Sequence, residues 1–223
     1  MLKKDLRNLY EDAKSLHSSL LGLVKRNVLI STLVLIVYLS IFFVDPIVRD
    51  WFSKIHNNFF DSVFSAGHWY GKPYLTFTCF LLLYMSGILF SNNRIRESGW
   101  KIFKAFVLSG IIVTVIKSIL GRWRPYTEHG NFAFYFLTFG PNDHLSLPSG
   151  DVAIAFAFST IVAVFFDNKV WKIFWFGLAV LTALGRIYHD QHWLTDVMLA
   201  AGISFCVGNV VNNNSRVNSE ELA

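Results

Sequence analysis

Residues Val170 to Val211 read VWKIFWFGLAVLTALGRIYHDQHWLTDVMLAAGISFCVGNVV: two apolar runs, 170–184 and 194–211, with the polar segment 185–193 between them. Similar runs occur at about 28–44, 74–90, 103–120 and 152–166, each near the ~17–25 residues that a helix needs to cross bilayer hydrocarbon. The pattern predicts an all-α polytopic membrane bundle of about six transmembrane helices. The 152–166 and 170–184 runs are the shortest and also fit one interrupted buried hairpin. Composition agrees, because 53% of the 223 residues are hydrophobic and only 16% are charged, whereas about a quarter of an ordinary soluble domain is charged. A soluble chain of this size would need more charge to cover its surface.

The formal net charge of +5 does not point to nucleic acid, because the cations lie in short segments between apolar runs rather than on one face. They fit membrane topology instead. Lys3, Lys4, Arg7, Lys14, Lys25 and Arg26 precede the first run; Arg94, Arg96 and Lys101 follow the second; Lys169 and Lys172 follow the fourth. Positive loops stay in the cytoplasm, so both termini are expected there. The connections at 45–73, 121–150 and 185–193 then face the other side. The first run has no small-residue cleavage site after it and reads as an anchor. Cys79 and Cys206 lie inside apolar runs, with no metal-site or disulfide spacing.

Ahead of the first run, Leu2, Leu6, Leu9, Ala13, Leu16, Leu20 and Leu23 recur at spacings of three and four. This predicts an amphipathic N-terminal helix, either lying on an anionic membrane surface or packed against a partner. Three regions follow: a cytoplasmic amphipathic segment over 1–26, a transmembrane domain over 27–212 and a polar cytoplasmic tail over 213–223.

Three segments carry polar residues that cost free energy in so apolar a chain, and the topology brings all three to the outer face. In the first, Lys117 and Arg124 stand seven residues apart, just before Pro125. That spacing is about two helical turns, so both are expected to project from one side of the third helix end. Two cations aimed at one point suit an anion; otherwise both snorkel to headgroups. In the second, Ser149, Gly150 and Asp151 follow Pro148 at the start of the fourth run. A helix start offers unpaired N–H groups to phosphate oxygens, although an ordinary capped turn explains these residues equally well. In the third, His192 and Asp196 are four apart and are expected on one helix face. The carboxylate can then hold one ring nitrogen and leave the other as a nucleophile, with Arg186 beside them to bind phosphate.

Together these segments resemble the type 2 phosphatidic acid phosphatases, whose membrane branch comprises lipid phosphate phosphatases. The family pattern is Lys, six residues, Arg-Pro; then Pro-Ser-Gly-His; then Ser-Arg, five residues, His, three residues, Asp. Lys117, Arg124 and Pro125 match the first element; Pro148, Ser149 and Gly150 match the second; Arg186, His192 and Asp196 match the third. The resemblance covers about residues 74–211. It implies a metal-independent phosphatase without a cofactor, in which Lys117, Arg124, Arg186, Ser149 and the Gly150 backbone neutralise the phosphoryl oxygens. His192 would attack in line, Asp196 would orient it, and water would hydrolyse the phosphohistidine.

Two positions depart from the pattern. Gly185 replaces the Ser before Arg186, which removes a supporting hydroxyl. Asp151 replaces the His of Pro-Ser-Gly-His, which the resemblance makes the general acid, and a carboxylate among three cations is a weak proton donor. Three readings of Asp151 follow: it serves as the acid, His189, His144 or His129 takes over, or the protein is slow or inactive. Some lipid A phosphatases resembling the family also carry Gly-Asp here, which favours an active variant and tilts the substrate towards lipid A.

The expected substrate is a membrane lipid bearing a phosphomonoester or pyrophosphate: lipid A, undecaprenyl pyrophosphate, phosphatidylglycerol phosphate or phosphatidic acid. Asn131 to Phe139 places several aromatics between the first two motifs, either to guide a lipid tail or as an interfacial belt. The expected location is a bacterial inner membrane with a periplasmic active site. The alternative is a non-catalytic membrane protein that uses the same pocket to bind anionic lipid or a partner.

Overall fold

The computed structural model describes residues 2–166 and 168–220, with side chains described over 5–19, 21–22, 25–166 and 168–214. The side chains of Leu2, Lys3, Lys4, Leu20 and Leu23 and the last three residues of the tail fall outside that description. Among the described residues the chain forms nine α-helices: α1 Leu2–Arg26, α2 Val28–Ile41, α3 Asp45–Ser53, α4 Asn58–Tyr70, α5 Pro73–Leu89, α6 Asn93–Leu120, α7 Gly150–Phe165, α8 Lys169–Tyr188 and α9 Leu194–Glu220. The fold is all-α, as the apolar runs require.

Asn93–Leu120, Lys169–Tyr188 and Leu194–Asn214 are long and apolar enough to cross a membrane. The total is five if the α2–α3 pair, bent by 42°, and the α4–α5 pair, bent by 47°, each form one span. Helix α7 is apolar but shorter. The outer surface fits hydrocarbon: α2 has no buried residue, and Leu29, Leu33 and Val34 are all at least 60% exposed. An apolar patch of that extent would aggregate in water.

The expected connection over 45–73 is itself helical. Pro46 occupies the first turn of α3, where its missing N–H costs nothing. The Asn57 side chain caps α4 by accepting from the Phe60 amide at 3.0 Å. Pro73 then disfavours helix at Lys72 and sets the bend into α5. These helices are less continuously apolar than the long runs, so hydropathy alone passes over them.

Helix α7 is the hub, with Val152, Ala153, Ala155, Ala157 and Phe158 buried among α6, α8 and α9. Helix α4 lies against α8 at backbone distance: a Cβ on Gly67 would sit 2.7 Å from the Leu181 carbonyl, and one on Gly185 would sit 2.8 Å from the Phe64 oxygen. Small residues allow this approach, and it brings the α4 C-terminus beside the end of α8.

Helix α1 packs on its own chain, with Asp5, Asp12 and Leu16 buried while Leu6 and Leu21 stay exposed. The packed face is therefore rotated from the leucine stripe and shares only Leu9 and Leu16 with it among the described side chains. Helix α6 offers the reason: Arg96 meets Asp5 at 3.3 Å, Lys104 pairs with Asp12, and Trp100 donates to the Asp5 carbonyl at 3.2 Å.

Candidate active site

The C-terminal ends of α4, α6 and α8 and the N-terminal ends of α7 and α9 converge at one end of the bundle. They enclose a cavity of about 700 Å³. Lys117, Arg124, Gly150, Asp151, Arg186 and His192 line it, drawn from all three motifs. Ser149 and Asp196 lie directly behind, fully buried.

Two local geometries differ from expectation. Lys117 is on α6, but the helix ends at Leu120 because Gly121 takes up a left-handed conformation (φ 56°) and donates its N–H to the Lys117 carbonyl at 2.8 Å. Arg124 follows in extended backbone, so helix and loop deliver the two cations separately rather than from one helical face. His192 likewise precedes α9, whose first turn carries Asp196. The Asp196 carboxylate folds back to accept from the Trp193 amide at 2.9 Å. The His192 amide meets the Arg186 carbonyl at 3.2 Å, so backbone contacts link the ends of α8 and α9.

Asp196 is held from several sides. Arg122 Nη1 donates to Oδ1 at 2.6 Å, the Ser146 hydroxyl donates to Oδ2, and His192 Nδ1 lies 3.5 Å from Oδ2. Arg122 is fully buried. It also donates to Asp45 at 2.7 Å and to Thr195 Oγ1 at 2.6 Å, and its guanidinium lies 4.5 Å from the centre of the Phe42 ring. Its donors face inward, so it fixes the carboxylate rather than meeting a cavity ligand. With Nδ1 turned to Asp196, Nε2 is the ring nitrogen left to His192 for the cavity. Burial pushes the His192 pKa far below its usual value, to about 3, with Lys117 and Arg124 adding to the fall against the pull of Asp196. The imidazole is therefore neutral and nucleophilic at physiological pH.

Gln191, which sequence reading passed over, ties the guanidinium groups together. Its Oε1 accepts from Arg124 Nη1 at 3.0 Å and from Arg186 Nη2 at 3.5 Å. Asn142 holds the other edge of Arg124, accepting at its Oδ1 at 2.8 Å, and Lys117 Nζ donates to the Leu145 carbonyl. Two buried donors, Ser149 Oγ and Arg186 Nε, have no hydrogen-bond partner among the described residues. Leaving a buried donor unmade costs about 1–3 kcal/mol, which an oxyanion in the cavity would recover. Ser149 is also the N-cap of α7, and its side chain makes no capping bond.

Asp151 faces a cluster of cations and potential cations: His68 Nδ1 and Arg186 Nη1, each at 3.4 Å from Oδ2, and Lys72 Nζ at 3.7 Å. His68 comes from the last turn of α4 and Lys72 from the turn that follows it, far from the motifs in sequence. Their only sequence signal is a His and a Lys four residues apart at the edge of an apolar run. Of His189, His144 and His129, His189 lines the cavity, and burial followed by the charge of Arg186 pushes its pKa down. His129 and His144 instead pack on the Trp123 ring at 3.8 and 3.9 Å and are not among the lining residues. Gly185 is explained by packing, since a Ser there would meet the Phe64 backbone. No group of three or more His, Cys, Asp or Glu suited to a metal ion occurs among the described residues.

A sequence model described as the PAP2 superfamily matches residues 98–219. Among curated proteins, the chain is 29% identical over 108 residues to a lipid A 1-phosphatase of Rhizobium johnstonii, covering 48% of this chain and 43% of that protein. It is 28% identical over 103 residues to a lipid A 1-phosphatase of Porphyromonas gingivalis, covering 45% of this chain and 20% of that protein. The matches thus span less than half of each relative's length. The fold is similar to the crystal structure of Aquifex aeolicus LpxE, with a TM-score of 0.60 at 22% identity over 76% of this chain and 95% of that one. It is also similar to a transmembrane PAP2 type phosphatidylglycerolphosphate phosphatase of Bacillus subtilis, with a TM-score of 0.62 at 16% identity over 82% of this chain and 92% of that one.

Proposed function

The chain belongs to the PAP2 superfamily, and from that premise we propose that it is an integral membrane lipid phosphatase working through a phosphohistidine on His192. The observation that carries this reading is the neutral His192, backed by the buried Asp196, at a cavity lined by Lys117, Arg124 and Arg186. Phosphoryl transfer depends chiefly on positioning and on neutralising the equatorial oxygens. The three cations, the Gly150 amide at the start of α7 and the two unpartnered donors, Ser149 Oγ and Arg186 Nε, provide that neutralisation without a metal. His192 Nε2 attacks phosphorus, the lipid oxygen leaves, and water then cleaves the P–N bond. As the imidazole becomes cationic, Asp196 stabilises it and Arg122 keeps Asp196 ionised and in place.

The substrate we favour is a lipid A phosphate, as in the two lipid A 1-phosphatases it is similar to; undecaprenyl pyrophosphate, phosphatidylglycerol phosphate and phosphatidic acid form the comparison panel. The reading takes α7 as a sixth crossing and puts the site on the periplasmic face of an inner membrane, opposite the cation-rich segments at Arg94, Arg96, Lys169 and Lys172. The test is phosphate release by the purified protein in detergent over pH ~5–8. His192→Ala is expected to lower the rate by at least ~10³-fold, in line with the loss of other covalent nucleophiles. Release that persists in that variant would refute the mechanism.

A further inference from the structure

We propose that His68, which faces Asp151, is the group that gives a proton to the leaving lipid oxygen. This rests on the phosphatase reading and adds a catalytic residue from α4, outside the three motifs. His192 is committed to phosphorus by its contact with Asp196. The cavity holds two further imidazoles, His68 and His189. Of these, His68 has the carboxylate contact, its Nδ1 lying 3.4 Å from Asp151 Oδ2. A histidine that donates from one nitrogen is best supported by a carboxylate on the other.

The charged and titratable groups around His68 come from three elements. Arg186 and His189 come from the end of α8, Asp151 from α7, and Lys72 from the turn after α4, 3.7 Å from Asp151. Arg186 Nη1 is 2.9 Å from His68 Nδ1. An arginine can only donate, so Nδ1 is the accepting nitrogen and the resting imidazole is neutral. An arriving phosphate oxygen competes for the same Arg186 donor. When Arg186 turns to the phosphate, Nδ1 is released, takes up a proton from solvent or from the phosphomonoester monoanion, and keeps it in a hydrogen bond to Asp151. Substrate binding thus creates the imidazolium.

The proton balance then closes. As the bond from His192 Nε2 to phosphorus forms and the bond from phosphorus to the lipid oxygen breaks, the Nε2 proton of His68 passes to that oxygen. In the second half, the attacking water gives a proton back to His68 Nε2 as its oxygen bonds phosphorus and the P–N bond breaks. As phosphate leaves, Arg186 turns back to His68 and the Nδ1 proton returns to solvent or departs with the phosphate, so free phosphate and the starting imidazoles result.

A proton donor matters for a poor leaving group and hardly at all for a good one, which distinguishes it from a positioning residue. The test compares phosphatidic acid with 4-nitrophenyl phosphate, in detergent, for wild type, His68→Gln and His68→Gln/Asp151→His. The expectation is that His68→Gln lowers turnover of phosphatidic acid by at least ~100-fold and of the aryl phosphate by less than ~10-fold. It should also abolish the fall of the wild-type lipid rate at alkaline pH. The double variant puts an imidazole at position 151 and should restore most of the lipid rate. Equal losses on both substrates with an unchanged thermal midpoint, no loss at all, or failure of the double variant to restore the rate would each overturn the donor role. Wild-type silence towards both substrates and towards the lipid A phosphate favoured above would overturn the phosphatase reading itself, and the donor with it.

Discussion

At the scale of single residues, the site shows how much one side chain depends on those that hold it. Arg124 and Arg186 are like charges that would separate without Gln191, whose carbonyl oxygen accepts from both. Gln191→Leu removes that acceptor but no charge, and hydrogen bonds to charged groups contribute about 1.5–3 kcal/mol. Phosphate release should therefore lose kcat/KM by about 10- to 100-fold, mainly through KM, while the thermal midpoint moves little. Gly185→Ser tests the departure from the family pattern in the other direction. The added Cβ would meet the Phe64 carbonyl oxygen at 2.8 Å, so the variant should lose about 1–3 kcal/mol of stability, seen as a lower thermal midpoint in detergent. The convergence of Lys117, Arg124, Arg186 and His192 on one cavity was legible in the sequence because they lie in short, spaced motifs. Gln191 sat inside such a motif and was passed over because an amide carries no chemistry of its own. His68 was illegible because its meaning comes only from the packing of α4 on α8.

At the scale of elements, the buried Arg122 joins parts of the chain that no local pattern connects. It pairs with Asp45 at the start of α3 and with Asp196 in the first turn of α9, and all three side chains are fully buried. Hydropathy marks 45–73 as a connection, so nothing in the local pattern gives Asp45 a role. Its buried ion pair with Arg122 gives α3 a fixed place under the site. Breaking a buried pair from one side leaves uncompensated charge and costs about 3–5 kcal/mol. Arg122→Leu leaves two carboxylates in that state and should unfold the protein or lower its thermal midpoint sharply. Arg122→Leu with Asp45→Asn should recover part of the stability but not the activity, because Asp196 still lacks its partner. A single variant as stable as wild type would show that water, not Arg122, solvates these carboxylates.

At the scale of the whole molecule, two ends of the bundle are organised by opposite means. Away from the site, Lys104–Asp12 and Arg96–Asp5 clamp α1 to α6, and the leucine periodicity that predicted the helix did not predict this face. At the site, His192 is buried uncharged, and that makes stability depend on pH. The folded-state pKa of His192 is pushed down from 6.5 to about 3, while an unfolded chain titrates near 6.5. Between those values the unfolded state binds more protons, so stability rises with pH there and is flat above. The slope reaches about 1.4 kcal/mol per pH unit for one such histidine, and His189 is lowered in the same direction. The thermal midpoint in detergent should hold from pH ~8 to ~6.5 and then fall as the medium is acidified. In His192→Gln the fall below pH ~6.5 should be shallower, whatever the variant does to the plateau. Parallel curves for the two proteins would mean that His192 takes up a proton in the folded state, which would remove the physical basis for its standing as a neutral nucleophile.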